Sequence, residues 1–294
     1  MKPLSEENPA TDLKPFCEKG ACGYKNKESE EIEVPLIYEN AKDFSEGLAR
    51  VKQNGLYGYI DTTGTLVIPC QFQDALRFIE GMAAVMVGAT WGFINKAGKM
   101  VIKPIYSRLI SFSEGLALVK KDDKWALFST TGENLSGFIY DDADGFENGL
   151  SAVSKDIEGK TMYGYINDSC DEIIPFIYST AQKFKYGKAV VSKSNHYGII
   201  DVEGNTVIPF EYTGFNASYD YNVIAAADNF SKWGLISFNN KKLCEFSYDY
   251  IFEFENGYAV VLLNHKYGVI GTDGKLVADT VYKTKEDALA AINN

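Results

Sequence analysis

Apolar and polar positions alternate with a period of two along most of the chain, in short stretches separated by turn residues. In the stretch 115–119, for example, Gly115, Ala117 and Val119 share one parity. Successive side chains of a β-strand point to opposite faces of the sheet, so this period indicates strands rather than helices. The pattern continues through residues 32–282 and predicts an all-β fold.

Three short motifs recur in a fixed order and define a repeat of about 34 residues. The first motif is a small-residue strand that follows an anchor glycine, with Asn222 in the glycine slot of the sixth copy. The anchor glycines are Gly47, Gly81, Gly115, Gly149, Gly187 and Gly257. The second motif is an aromatic residue followed by glycine, with Trp125-Ala126 in its third slot; the other copies are Tyr57-Gly58, Trp91-Gly92, Tyr163-Gly164, Tyr197-Gly198, Trp233-Gly234 and Tyr267-Gly268. The third motif is an apolar strand often closed by proline, as in Val67-Ile68-Pro69, Ile173-Ile174-Pro175 and Val207-Ile208-Pro209.

The glycine of the second motif and the proline of the third carry local expectations. A glycine within a strand, such as Gly58, often marks the close approach of another backbone. A proline such as Pro69 lacks a donor for the sheet ladder and fits a strand end or an edge strand. The turn 61–64 then connects the second motif to the third as a short antiparallel hairpin.

Taken together, the motifs resemble the WG repeat family, also called KWG repeats. The matching pattern is F-x-E-G-x-A-x-V, then aromatic-Gly-aromatic-Ile-Asp, then G-x-x-V-I-P, over residues 32–282. The resemblance implies a bacterial β-repeat protein, and it supplies no catalytic residues. The chain departs from the family pattern where Ala126 replaces the glycine and across residues 215–227, where the first motif is blurred. We expect irregular packing in those copies.

The two ends of the chain differ from the repeats. Residues 1–31 are polar and predict an irregular N-terminal segment, followed by a seven-unit repeat domain over residues 32–282. Residues 283–294 predict a C-terminal helix, with Thr284 as the N-cap and Asp287 in a box-like position. Terminal repeats need a distinct cap over their last apolar face, and this helix is the expected cap.

Two arrangements of the repeats are compatible with the motifs. The first is an open superhelical array of seven three-stranded antiparallel units, and the second is a closed seven-bladed β-propeller. Residues 32–43 match the third motif without a preceding hairpin, so the array starts part-way through a unit. This incomplete start and the terminal helix favour the open array, whereas the count of seven favours the propeller.

Charge restricts the classes of partner. The formal net charge of −11 argues against nucleic acid, because phosphate binding needs clustered Lys and Arg. It also argues against an anionic membrane surface, while it is compatible with a basic partner and with simple solubility. The start of the chain shows no apolar signal-peptide region, so we expect a cytoplasmic protein, with secretion left open.

Residues that commonly carry chemistry are few and scattered. The chain has two histidines and no nucleophile with a local base, no phosphate loop and no complete metal-ligand cluster. We therefore expect no enzymatic activity, no cofactor and no metal. The recurring Asp61, Asn95, Asn167 and Asp201 fit a turn-forming series better than a calcium ring. Cys17 and Cys22 are compatible with ordinary cap residues, with a metal half-site or with a disulfide, which would need an oxidising compartment.

The sequence thus predicts a non-catalytic repeat scaffold that mediates protein–protein or peptide interaction. The alternative is a module that binds a small ligand or glycan through exposed aromatic residues. Aromatic residues outside the repeat slots cluster in the degenerate sixth copy, at Tyr219, Tyr221 and Phe230. We take these three as the candidate partner-binding residues, with simple drift of this copy as the competing explanation.

Overall fold

A computed structural model of the protein describes residues 12–292. The chain divides into two compact units, Met1–Gly145 and Phe146–Asn294, and each is considered by itself. Nearly all of the regular structure is antiparallel β-strand, with one α-helix near the end of the described residues. The prediction of an all-β chain of tandem antiparallel repeats is confirmed.

The first unit consists of four sheets, each built from strands that are consecutive in the described sequence. The first sheet contains β1 (Leu13–Glu18), β2 (Ala21–Asn26) and β3 (Ile32–Tyr38). The second contains β4 (Asn40–Ser45), β5 (Leu48–Gln53), β6 (Leu56–Asp61) and β7 (Leu66–Phe72). The third contains β8 (Asp74–Ala75), β9 (Met82–Val87), β10 (Thr90–Asn95) and β11 (Met100–Tyr106). The fourth contains β12 (Arg108–Ser113), β13 (Leu116–Lys121) and β14 (Lys124–Ser129). The short strand β15 (Asp142–Ala143) follows in the chain and is not part of this sheet.

The second unit repeats the same plan. Its first sheet includes β16 (Ser151–Ile157), β17 (Lys160–Ile166) and β18 (Glu172–Tyr178). The next contains β19 (Thr180–Ala181), β20 (Lys188–Lys193), β21 (His196–Asp201) and β22 (Thr206–Tyr212). The third contains β23 (Gly214–Ser218), β24 (Val223–Ala227) and β25 (Trp233–Ser237). The last contains β26 (Tyr250–Glu255), β27 (Tyr258–Leu263), β28 (Lys266–Gly271) and β29 (Leu276–Tyr282), and helix α1 (Lys285–Ala290) follows it. Within each unit the row of sheets is open, since no described strand pairs the first sheet of the unit with the last.

The first sheet is an addition to the seven units expected from the motifs. Residues 13–26 form the hairpin of β1 and β2, in contrast to the irregular structure expected for residues 1–31. Strand β3, expected as an extra strand without a preceding hairpin, pairs with β2 of that hairpin. The motifs do not reveal this hairpin because Cys22 stands before Gly23 where the other copies have an aromatic residue. The rest of the expected irregular segment, residues 1–11, lies outside the described residues.

Most sheets also have four strands where three were expected. The added strand is the first of each sheet, such as β4, and it pairs with the small-residue strand after the anchor glycine. The anchor itself lies in the connecting turn: Glu46 and Gly47 both have positive φ, of 52° and 84°, as a two-residue hairpin turn requires. Gly115 is in the same conformation, so it does not share the strand face of Ala117 and Val119, which are buried in β13.

The glycine of the second motif faces a bulge in the strand of the third motif. Tyr59 pairs with Ile68, but Tyr57 pairs with Phe72, so three residues of β7 lie opposite Gly58. This extra backbone, which includes the proline, leaves no room for a side chain: a Cβ on Gly58 would lie 2.5 Å from the carbonyl oxygen of Ile68. The proline therefore sits in a bulge of an edge strand, where no ladder donor is needed.

The copy that has lost this glycine has also lost its regular last strand. The segment that follows β14 forms no regular strand. It pairs with β14 at two isolated bridges, Trp125 with Tyr140 and Phe128 with Asn134. The irregularity expected from the sequence at this copy is present in the structure.

The hydrophobic core lies between successive sheets of each unit. One cluster, for instance, joins Tyr59 and Ile68 of the second sheet to Ala75 and Val85 of the third. Each sheet therefore buries its apolar faces only against its neighbours, as a repeat array requires.

Helix α1 covers the last sheet of the second unit. The Thr284 hydroxyl accepts a 3.1 Å hydrogen bond from the backbone N–H of Asp287, as the box-like arrangement predicts. On the inner side of the helix, Ala288 is buried against Val269 and Ala278. The helix therefore occupies the place of a further sheet over this apolar face.

Candidate functional site

The three candidate partner-binding residues do not form one cluster. Tyr219 and Tyr221 lie in a single 3-10 turn that joins β23 to β24. Phe230 lies in the turn at the other end of β24, where its backbone N–H donates to the side chain of Asp228. A five-residue strand spans roughly 17 Å, so Phe230 is far from the two tyrosines.

The surroundings of the three aromatic residues differ as well. The Tyr219 ring lies 4.9 Å from the Phe238 ring, and burial raises the pKa of Tyr219 to about 12. The Tyr221 ring packs near Phe254, at 6.0 Å. Phe230, by contrast, is 85% exposed. The two tyrosines are half-buried and contribute to packing, whereas Phe230 is exposed.

A two-residue bulge in the first strand of a sheet lines a cavity in each unit. In β4, Ala41 pairs with Val51 and Phe44 with Ala49, so Lys42 and Asp43 share one partner position. That position, three residues after the anchor glycine, is held by Arg50. The same bulge occurs in β26, where Phe252 and Glu253 lie opposite Val260.

A buried tyrosine of the preceding sheet holds this position in several copies. The Tyr24 hydroxyl donates to the carbonyl oxygen of Lys42 at 2.8 Å, and the Tyr59 hydroxyl donates to that of Leu76 at 2.6 Å. Burial raises the pKa of Tyr59, so the phenol stays protonated and remains a donor. The backbone at the bulge is therefore fixed independently of the side chains that it displays.

Those side chains change from copy to copy. Aligned on the anchor, the residues at the equivalent positions are Lys42-Asp43 with Arg50, Leu76-Arg77 with Ala84, Ile110-Ser111 with Leu118, Asp144-Gly145 with Ala152, Gln182-Lys183 with Val190, Ala217-Ser218 with Ala225, and Phe252-Glu253 with Val260. The sixth copy has no bulge, because β23 pairs with β24 in regular register. Side chains that vary at equivalent positions allow a repeat protein to vary its binding surface.

In the second unit, the bulge of β26 opens into a cavity of about 400 Å³ between the last sheet and helix α1. Its lining is aromatic and acidic, with one lysine: Tyr250, Phe252, Glu253, Glu255, Tyr258, Val260, Lys285 and Leu289. The Tyr250 and Phe252 rings meet edge to face at 4.7 Å. The Lys285 ammonium lies 3.4 Å from the Phe252 ring centroid, a cation–π contact.

In the first unit, a second cavity of about 400 Å³ has the opposite charge. It is lined by equivalent residues of three successive repeats and their neighbours: Lys42, Asp43, Arg50, Leu76, Arg77, Ile79 and Ser111. Three cationic side chains and one carboxylate thus surround it, although the chain as a whole is strongly acidic.

Neither cavity was predicted from the sequence, because each is assembled from residues that the period-two pattern assigns to ordinary strands. One residue of the sequence nevertheless points to the cavity of the first unit. Arg50 is the one charged residue at its aligned position, where the other copies carry an apolar residue.

The polar series at the strand ends forms turns, as expected. Asp61 Oδ1 accepts hydrogen bonds from the backbone N–H groups of Thr63 and Thr65, at 2.9 and 3.0 Å, and Asn95 caps its own turn in the same way. In residues 12–292, no group of three or more His, Cys, Asp or Glu side chains is placed to hold a metal ion. The expected absence of metal and cofactor stays a prediction.

Cys17 and Cys22 form a disulfide, which decides among the three interpretations left open by the sequence. They are register partners across the β1–β2 hairpin. The remaining cysteines, Cys70, Cys170 and Cys244, are free and half-buried. Across residues 12–292, no helix has both the length and the apolar character needed to span a bilayer.

Comparison with known proteins agrees with the repeat. A family model described as "WG containing repeat" matches residues 23–57, 57–90, 91–125, 127–160, 163–195, 197–226 and 233–267. No curated protein matches the sequence. Among solved structures, Kluyveromyces lactis Hsv2p is similar at 9% identity, with a TM-score of 0.41 over 78% of this chain and 91% of that one. A eukaryotic initiation factor is similar at 12% identity, with a TM-score of 0.42 over 91% and 95% of the two chains.

Likenesses at these TM-scores carry no argument about function. The family matches, in contrast, follow one another along most of the sequence and together cover most copies of the motifs described above. The chain belongs to the WG-repeat family.

Proposed function

We propose that the protein is a non-catalytic binding module whose second unit docks a basic segment of a protein or peptide partner. The observation that carries this proposal is the contact of Lys285 with Phe252, in which the cavity beside α1 already holds an ammonium group over an aromatic face. A lysine or arginine side chain of a partner fits the same surface.

The chemistry of the lining supports a cationic occupant. Tyr250 and Tyr258 are more than a third exposed and offer further aromatic faces for a cation. Glu253 and Glu255 are exposed and form no ion pair with any described residue. Two unpaired carboxylates beside aromatic rings attract and orient a positively charged group.

Titration of the full chain with two capped peptides tests this proposal. We expect a Lys-Tyr-Lys-Tyr-Lys peptide to bind and a Glu-Tyr-Glu-Tyr-Glu peptide not to bind, as measured by isothermal titration calorimetry. The double variant E253Q/E255Q should weaken binding of the basic peptide about tenfold or more. Replacing Lys285 with alanine should strengthen it, because the competing ammonium group is gone.

Glu286 provides the matched control, since it is exposed on α1 but does not line the cavity. The E286Q variant should bind the basic peptide like the wild type. Equal affinity for the two peptides, or unchanged affinity in E253Q/E255Q, would contradict the proposal.

The Cys17–Cys22 disulfide bears on where the protein acts. Disulfides persist in oxidising compartments and are rare in the cytosol, so the bridge favours an extracytoplasmic location over the cytoplasmic one expected from the sequence. Mass-tag labelling of denatured protein from the native cell distinguishes the two. The bridged form should take a tag on three of the five cysteines, whereas tagging of all five would support the cytosol.

A further inference from the structure

We propose that the cavity of the first unit is a binding site for a small organic anion, a carboxylate or phosphate ester with an apolar part. This site is separate from the peptide-binding cavity of the second unit and has the opposite charge. It is formed by the bulge of β4 together with the equivalent segments of the next two repeats.

Arg50 is the central group of the site. Its side chain is 18% exposed, and it occupies a position that is apolar in every other copy. Its guanidinium donates to the carbonyl oxygen of Ala75 and lies over the Tyr57 ring, 5.0 Å from the centroid. These contacts fix the direction of the planar fork, which matches the geometry of carboxylate and phosphate groups.

The charge of Arg50 is only weakly compensated within the protein. The nearest carboxylate, that of Asp74, lies 3.8 Å away and is 44% exposed. A largely buried cation is costly unless it is paired. An anionic ligand in the cavity would supply a second and closer partner.

The other lining residues add to the positive field. Lys42 and Arg77 make no ion pair with any described residue, and the single carboxylate of the lining is that of Asp43. With Asp74 beside Arg50 included, three cations face two carboxylates, and a concave surface with an excess of one sign concentrates ligands of the opposite sign. Ser111 adds a hydroxyl group, which can donate a hydrogen bond to an oxyanion.

Size and apolar surface indicate a small molecule. A volume of about 400 Å³ lies within the range of small-molecule pockets, roughly 300–1,000 Å³. Leu76 and Ile79 give the cavity an apolar wall beside the cationic groups. The ligand is therefore expected to combine an anionic head with an apolar body, as benzoate and phenyl phosphate do.

Calorimetric titration of the full chain with four probes tests the site: benzoate, phenyl phosphate, inorganic phosphate and neutral benzyl alcohol. We expect one of the two aromatic anions, or both, to bind with a stoichiometry of about one. Inorganic phosphate should bind more weakly because it lacks the apolar part, and benzyl alcohol should not bind because it lacks the charge. Binding of benzyl alcohol as tight as that of the anions, or no binding of either aromatic anion, would overturn the proposal.

Variants locate the binding in this cavity. R77Q changes an exposed side chain and should weaken anion binding about tenfold or more, while R77K should retain most of it. R50L introduces the residue that the fourth sheet carries as Leu118, so the fold should tolerate it, and anion binding should be lost. The control K103Q removes an exposed lysine of the same unit that does not line the cavity, and it should bind like the wild type. Wild-type affinity in both R77Q and R50L would refute the site.

Discussion

The Oε2 atom of Glu46 accepts a 2.9 Å hydrogen bond from the backbone N–H of Gly81, which ties the anchor turn of one repeat to that of the next. The same bond joins Glu80 to Gly115 at 2.8 Å. Each glutamate is thus both a residue of its own tight turn and a link along the row of sheets. The E-G step of the first motif is a local feature of the sequence, whereas the link between turns is visible only in the structure.

Replacing Glu46 with alanine should therefore lower the free energy of unfolding by about 1–3 kcal/mol, the usual effect of losing a charge-assisted hydrogen bond. The side chain is only 16% exposed and also lies 3.2 Å from the Lys96 ammonium, so water replaces these contacts poorly. Urea denaturation measures the change. The control E133A removes an exposed glutamate of the same unit and should change the free energy of unfolding by less than about 0.5 kcal/mol. If E46A and E133A lower it equally, the link between the turns does not stabilise the fold.

The Y59F variant tests whether the tyrosine fixes the bulge of the following repeat. Removal of the hydroxyl leaves the Leu76 carbonyl without its 2.6 Å hydrogen-bond partner. We expect the free energy of unfolding, measured by urea denaturation, to fall by about 1–2 kcal/mol. Tyr57, in the same strand, makes no hydrogen bond through its hydroxyl to any described residue, so Y57F is the matched control. If both variants unfold like the wild type, the bond does not stabilise the bulge.

The G58A variant tests the close approach in the second motif. The added Cβ would meet the Ile68 carbonyl oxygen at 2.5 Å and the Cys70 nitrogen at 2.7 Å, and backbone atoms cannot rotate away. We expect destabilisation of about 2–3 kcal/mol by overpacking. Gly55 is a glycine of a different kind, with positive φ but open space around it; G55N should be tolerated, because asparagine adopts that conformation. A G58A protein with the wild-type melting temperature would refute the steric argument.

The D61N variant tests the pH dependence of the turn series. The Thr63 hydroxyl, followed by the backbone N–H groups of Thr65 and Thr63, lowers the pKa of Asp61 below its ordinary value. A lowered folded-state pKa gives stability that is present above the unfolded-state pKa of about 3.9 and is lost as pH falls through the folded-state value. Asn95 makes the corresponding turn, so D61N should keep the fold. Urea denaturation at pH 7 and at pH 3 should show that acid lowers the free energy of unfolding less in D61N than in the wild type. Identical decreases would contradict the lowered pKa of Asp61.

Alanine variants of Tyr219 and Phe230 test their different surroundings. Y219A removes a ring that packs against Phe238 and should lower the free energy of unfolding by about 2–4 kcal/mol. F230A removes an exposed ring and should leave the melting temperature nearly unchanged. A role of Phe230 in partner binding stays a prediction. If F230A is the more destabilised variant, the contrast between a packed Tyr219 and an exposed Phe230 is contradicted.

The repeat fold was predictable from the sequence because its determinants are local. Alternating parity, turn glycines and the glycine–proline pair of the hairpin each act over a few residues, and they recur often enough to reinforce one another. The first sheet was missed because its aromatic slot holds Cys22, which is bonded to Cys17. The cavities depend on side chains such as Asp43, Arg77 and Ser111, which are 34 residues apart and meet only through the stacking of sheets.

The bulges also have a consequence for solubility. A row of sheets presents many edge strands, and a regular edge offers free N–H and C=O groups onto which another molecule can add a strand. Here β4 and β26 are broken by two-residue bulges, and at the opposite edge of the second sheet β7 is broken by the bulge that contains Pro69. An incoming strand would find its hydrogen-bond ladder interrupted at either edge, so the irregularities that shape the cavities also protect the protein from edge-to-edge aggregation.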